Sequence, residues 1–130
     1  MEVIVMRARI AFGALAAVIG VVAGPAATAS AAPVDDCKGL RLVCIFENPN
    51  HGGAVVWTGV ENGTYGAPYR TRTRGSNVLN SSSSWVRLKQ AKGTRACQMS
   101  PGRDVDLPGW INDNIGQIVI GGHASGVPNC

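Results

Sequence analysis

From Cys37 to the C-terminus, apolar and polar residues alternate in short runs that Gly, Pro, Asn and Ser break every few positions. No window keeps apolar residues at i, i+3, i+4 and i+7 over three turns, so the pattern argues for strands and against long amphipathic helices. VCIF (Val43–Phe46) and AVVWT (Ala54–Thr58) flank the bend ENPNHGG. WVRLK (Trp85–Lys89) sets Val86 and Leu88 on one face and Arg87 and Lys89 on the other. TRACQM (Thr94–Met99) and RDVDL (Arg103–Leu107) follow, the latter with Val105 and Leu107 opposed to Asp104 and Asp106. QIVIG (Gln117–Gly121) is an apolar run of the kind a buried strand shows. LPGWIND (Leu107–Asp113) allows one helical turn. Short strands joined by Gly/Pro turns predict an all-β sandwich or small barrel.

The pattern is different at the start. Arg7 and Arg9 precede an apolar run, Ile10–Gly24, which ends in Pro25 and the small residues ATASAA. That order is the mark of a secretory signal, and the run is shorter than the ~20 residues that span a bilayer. Residues 1–31 are therefore expected to be a signal peptide cut after Ala31, with Ala29 as second candidate and a retained anchor as the alternative. The mature chain, residues 32–130, suffices for one small domain, expected outside the cell, off the membrane and monomeric. Loss of two Arg and one Glu lowers the net charge from +4 to +3, too weak to argue for a nucleic-acid partner.

All four cysteines, Cys37, Cys44, Cys97 and Cys130, lie in the mature part, and an even count in a short exported chain reads as disulfides. Three pairings are possible. Cys37–Cys44, which closes the short loop KGLRLV, and Cys97–Cys130, which ties back the C-terminus, are favoured. A zinc site would need clustered Cys and His, and neither His51 nor His123 sits beside a close Cys pair.

The mature chain also reads as two loose copies of one unit, about residues 37–90 and 94–130. Each opens with a Cys-led strand and a hairpin, then passes through a polar loop to an apolar strand, WVRL in the first and IVIG in the second. The first carries a long insertion, Val60–Asn77. This layout resembles the βγ-crystallin fold, in which two Greek-key motifs build one sandwich. There the hairpin motif is an aromatic, four residues, a second aromatic, one residue and Gly. Here Phe46 opens it, His51 stands for the second aromatic and Gly53 supplies the Gly, whose freedom lets the ring lie over the bend. CIFENPNHGG (Cys44–Gly53) further resembles small actinobacterial secreted proteins of the metalloproteinase-inhibitor type, which share that fold. The resemblance implies a peptidase inhibitor acting through an exposed substrate-like loop on an extracellular protease. It covers most of residues 37–121 and is specific mainly in its first motif.

Two loops qualify for inhibition. The Cys37–Cys44 loop would display Leu40, Arg41 and Leu42, and a large apolar side chain suits thermolysin-like metalloproteases. In YRTRTR an extended backbone would set Arg70, Arg72 and Arg74 on one face, toward an acidic protease surface or an anionic envelope polymer. The resemblance also raises calcium, for which Asn80, Ser83, Asn112 and Asp113 match parts of the [ND]-[ND]-x-x-[ST]-S motif. Each half lacks ligands: Leu79 stands where an acid or amide belongs, and Gly116 and Gln117 replace hydroxyl residues. Polar turns bonding their own backbone are preferred to calcium there, and no cofactor is required. The alternative function is a non-inhibitory binding module for calcium or cell-envelope polymers. Catalysis finds no carboxylate pair in a setting that separates two pKa values, and Ser81–Ser84 has no G-x-S-x-G context, so no enzyme is expected. His51 and the three Trp are expected to pack.

Overall fold

The residue pattern of VCIF does not alternate because this strand is buried on both faces. Val43 and Ile45 point into one apolar cluster, and Cys44 and Phe46 into another. The computed structural model describes residues 33–130; the expected signal peptide, residues 1–31, lies outside them. Among the described residues the order is α1 (Pro33–Gly39), β1 (Val43–Asn48), β2 (Gly52–Gly59), β3 (Gly63–Gly66), α2 (Tyr69–Arg74), β4 (Asn77–Asn80), β5 (Trp85–Gln90), β6 (Ala96–Met99), β7 (Asp104–Asp106) and β8 (Ile115–Gly121). All six expected strands are present with shifted ends. LPGWIND is a turn, with the Pro108 carbonyl accepting from the Ile111 and Asn112 amides.

The strands make two four-stranded antiparallel sheets, ordered β2-β1-β4-β7 and β3-β8-β5-β6. The main core draws Val43, Ile45 and Val78 from the first sheet and Val86, Leu88, Cys97, Met99, Ile118 and Ile120 from the second. Burying each Ile, Leu or Val side chain contributes about 1.5–3 kcal/mol. The smaller cluster, Cys37, Cys44, Phe46 and Leu79, lies on the other face of β1 and β4, where Val34, Leu42 and Val55 pack against it.

The strand pairing differs from the sequence reading in two places. Trp85–Gln90, expected to close the first half, pairs with β6 and β8 instead. The strand beside β1 is Asn77–Asn80, which the polar residues Asn77 and Asn80 hide from a hydrophobicity pattern. The expected insertion, Val60–Asn77, contains β3, which pairs with β8 in the second sheet. The counterpart crossing is β7, which pairs with β4 in the first sheet. Each half of the domain thus places one strand in the other half's sheet.

Both favoured disulfides are formed, Cys37–Cys44 and Cys97–Cys130. The second fixes a tail that runs beside β6. Asn129 bridges Gln98 in parallel, the Gln98 amide donates to the Pro128 carbonyl, and the Cys130 amide donates to the Gln98 carbonyl.

Candidate functional site

The corner closed by Cys37–Cys44 is built from the end of α1 and the start of β1. The Leu40 amide donates to the Asp36 carbonyl (2.9 Å), Arg41 to Lys38 (3.2 Å) and Leu42 to Cys37 (3.0 Å). Arg41 takes a left-handed φ of 56°, which reverses the chain into the strand. The corner is therefore a helix end and turn, whereas a substrate-like loop is extended. Leu40 is 68 % exposed and Arg41 is exposed beside it. Leu42 is not on display; it packs half-buried against the Cys37, Cys44, Phe46 and Leu79 cluster. The corner shows one apolar side chain, Leu40, and two basic ones, Lys38 and Arg41, on an anchored base.

YRTRTR is the clearest correction. It forms the helix α2, so Arg70, Arg72 and Arg74 do not make one extended row. Alternating Thr and Arg reads as a strand by period, but tertiary contacts override that weak preference. Ile45 pairs with Trp57 and Phe46 with Val55, leaving Val56 bulged out of the ladder. Its carbonyl accepts the buried Thr71 hydroxyl at 2.6 Å, and that bond seats the helix. The Gly75 amide closes on the Thr71 carbonyl at 3.0 Å. Helical spacing turns Arg70 and Arg74 toward Glu47, at 3.9 and 2.9 Å from its Oε2. The Arg74 hydrogen bond, then the Ala54 amide, hold the Glu47 carboxyl below its ordinary pKa. Arg72 faces elsewhere, 5.6 Å over the exposed Tyr69 ring.

The Asn/Ser turns bond internally. Asn80 is fully buried; its amide donates to the Ser84 carbonyl (2.8 Å) and the Ser100 carbonyl (3.1 Å), and its Oδ1 accepts from the Ser82 amide and hydroxyl. Those bonds employ the side chain a calcium ion would need. Ser83 is exposed, and the structural partner is its neighbour Ser82, which is buried. In the second turn Asn112 and Asp113 are exposed, Asp113 at φ 57° with its amide on the Gly75 carbonyl and its Oδ1 accepting from Ser76 (3.3 Å). Among the described residues no group of three His, Cys, Asp or Glu is placed to hold a metal ion.

The ENPNHGG bend folds back on itself. Asn50, His51 and Gly53 all have positive φ, at 55°, 60° and 70°, and the His51 ring meets Phe46 edge-on at 5.2 Å between centroids. A carboxylate cluster under the bend was not foreseen. Asp106 accepts from the Asn50 amide and from the Asn77 side chain, both at 2.8 Å. Those bonds, the Asn50 one first, lower its pKa. His51 Nε2 lies 2.7 Å from Asp104 Oδ2, close but out of line for a hydrogen bond. Asp104 and Asp106 sharing a strand face was the signal; that the bend would reach them across more than fifty residues was not legible. Trp57 and Trp110 pack half-buried against the main core, and Trp85 meets His123 edge-on at 4.6 Å. No family model, curated protein or solved structure matches the chain.

Proposed function

We propose that this is a secreted, βγ-crystallin-like Greek-key domain that inhibits an extracellular peptidase by wedging Leu40 into an apolar pocket of the enzyme. The observation that carries the reading is the Leu40 corner: a 68 % exposed leucine on a turn closed by a disulfide and rooted through Leu42 in a buried cluster. A pre-ordered corner loses little conformational entropy on docking, which favours affinity. The turned backbone points to a side-chain wedge rather than a strand laid across the cleft. Metalloproteases of the thermolysin type, which take large apolar side chains, are the first class to test.

Three features support the wider frame. The motif CIFENPNHGG resembles secreted metalloproteinase inhibitors. The exchange of one strand between two like-connected halves suits paired Greek keys. Two disulfides suit an oxidising compartment.

The test is an inhibition assay of the processed protein against a panel of secreted peptidases that includes a thermolysin-like enzyme. Inhibition of a panel member is expected, with Leu40→Asp weakening it by about 30-fold or more, the loss of one buried anchor. Undiminished inhibition by Leu40→Asp would remove the corner from the mechanism; no inhibition of any member would remove the function.

A further inference from the structure

The second sheet has a peculiarity of charge that the Leu40 corner does not use. None of its strands, β3, β5, β6 and β8, contains an Asp or Glu, and neither does the β5–β6 turn. Five of the seven carboxylates in residues 33–130 belong instead to α1, β1 and β7: Asp35, Asp36, Glu47, Asp104 and Asp106. On β5, Trp85, Arg87 and Lys89 alternate away from the core-facing Val86 and Leu88. Successive outward residues on a strand stand about 7 Å apart. The row leads into an open groove of about 840 Å³ whose cations are Arg72, Lys89 and Lys92, with Asp113 the one carboxylate on its wall.

Three separate anchors hold these cations. Arg72 rides on α2, seated by Thr71 under Val56. Lys89 is on a central strand, paired across to Gln117 and Ala96. Lys92 is in the β5–β6 turn, where the Asn114 side chain accepts from its amide (3.0 Å) and donates to its carbonyl (3.2 Å). Gly116 lets the two segments close up, since a Cβ there would stand 2.6 Å from the Ala91 Cα and 2.8 Å from the Gln90 carbonyl. Among the described residues none of Arg72, Lys89 and Lys92 has a carboxylate within ion-pair distance, whereas Arg70 and Arg74 share Glu47. Unpaired cations converging on a concave site focus an attractive field for anions.

We propose that this groove and the Arg87–Lys89 row bind a linear anionic polysaccharide. The groove lacks the apolar anchor that a protein partner's hot spot requires: its walls are charged, polar, Ala or Gly. On the Arg87–Lys89 row the one aromatic, Trp85, is half-buried against His123, so the exposed ring beside the groove cations is Tyr69 alone, next to Arg72, short of the successive rings on which a strand of bases stacks. What it offers is spaced cations, with the Thr73 and Gln117 side chains for sugar hydroxyls.

The test measures binding of the whole processed protein to heparin and polygalacturonate as anionic glycans, with neutral dextran and duplex DNA as comparisons. Salt-dependent binding to the anionic glycans is expected, none to dextran, and weaker binding to DNA. Lys89→Gln plus Lys92→Gln should weaken glycan binding by about tenfold and flatten its salt dependence by about two counterions. Arg103→Gln, an exposed cation on the β6–β7 turn, should change it by less than about twofold. Near-UV circular dichroism verifies that each variant is folded. The proposal is overturned by absence of glycan binding at low salt, by equal loss from Arg103→Gln, or by DNA binding as tight as the glycan's.

Discussion

At the scale of single residues, the ENPNHGG bend shows how a few positions set a local shape. Gly53 combines φ +70° with crowding: an added Cβ would stand 2.7 Å from Asn48 Nδ2 and 2.9 Å from Glu47 Oε1. Gly53→Ala should cost about 1 kcal/mol or more, from strain and displaced neighbours together, read as a fall in the urea midpoint at constant slope. The bend also places two carboxylates in settings that favour their charged forms, Glu47 by Arg74 and the Ala54 amide, Asp106 by the Asn50 amide and Asn77. A carboxylate whose pKa is lowered by folding stabilises the fold above its unfolded value, and that contribution is lost as pH falls through the folded one. The window therefore lies below about 4.5 for Glu47 and below about 3.8 for Asp106. Thermal stability should decline on acidification through that range, and Glu47→Gln with Asp106→Asn should flatten the decline. Both groups are accessible to solvent, so the slope is the readout and not a large energy. Gly53 and Phe46 were legible in the sequence because a positive-φ hairpin position has few residue choices. The Asp106 contact was not, because nothing local to RDVDL says which bend will lie over it.

At the scale of elements, burial on two faces explains what could be read and what could not. β1, buried on both faces, and β8, whose Ile118 and Ile120 are buried while Gln117 and Val119 are half-buried, announced themselves as apolar runs. β4 did not, because Asn77 and Asn80 are buried and bonded by their amides, and buried amides look like loop residues in a sequence. Helix α2 was missed because a six-residue helix seated by one threonine hydroxyl has no periodicity to detect. The C-terminal tail makes a related point at the edge of the second sheet. Gln98 is buried, donating to the Ala124 and Val127 carbonyls (3.0 and 2.9 Å) and accepting from the Ala124 amide (3.0 Å). An open strand edge is a template for association, and here the tail covers β6. Gln98→Ala should cost about 1–3 kcal/mol for the two backbone groups it leaves unpaired, the Ala124 amide and the Val127 carbonyl. Loosening the tail should also expose β6, so sedimentation velocity should reveal concentration-dependent association that the parent protein does not show.

At the scale of the whole domain, the two disulfides act on different parts of the fold. Cys97–Cys130 closes a span of 33 residues and Cys37–Cys44 a span of 7. In a chain-entropy treatment the longer loop stabilises by about 4 kcal/mol and the shorter by about 2.5 kcal/mol. Their structural consequences are ordered the other way. The short bridge joins α1 to β1 and is itself part of the cluster that buries Phe46 and Leu79. Without it, the Leu40 corner has no covalent base, although both sheets and the main core keep all their residues. Replacing Cys97 and Cys130 by Ala should therefore lower the unfolding free energy more, measured in urea, and leave inhibition by the surviving folded fraction intact. Replacing Cys37 and Cys44 by Ala should lower stability less and weaken inhibition more. The two readouts move in opposite order only if the proposed inhibition depends on the corner's rigidity and not on the general stability of the domain. Equal losses of inhibition from both replacements would remove the Leu40 corner from the proposed mechanism.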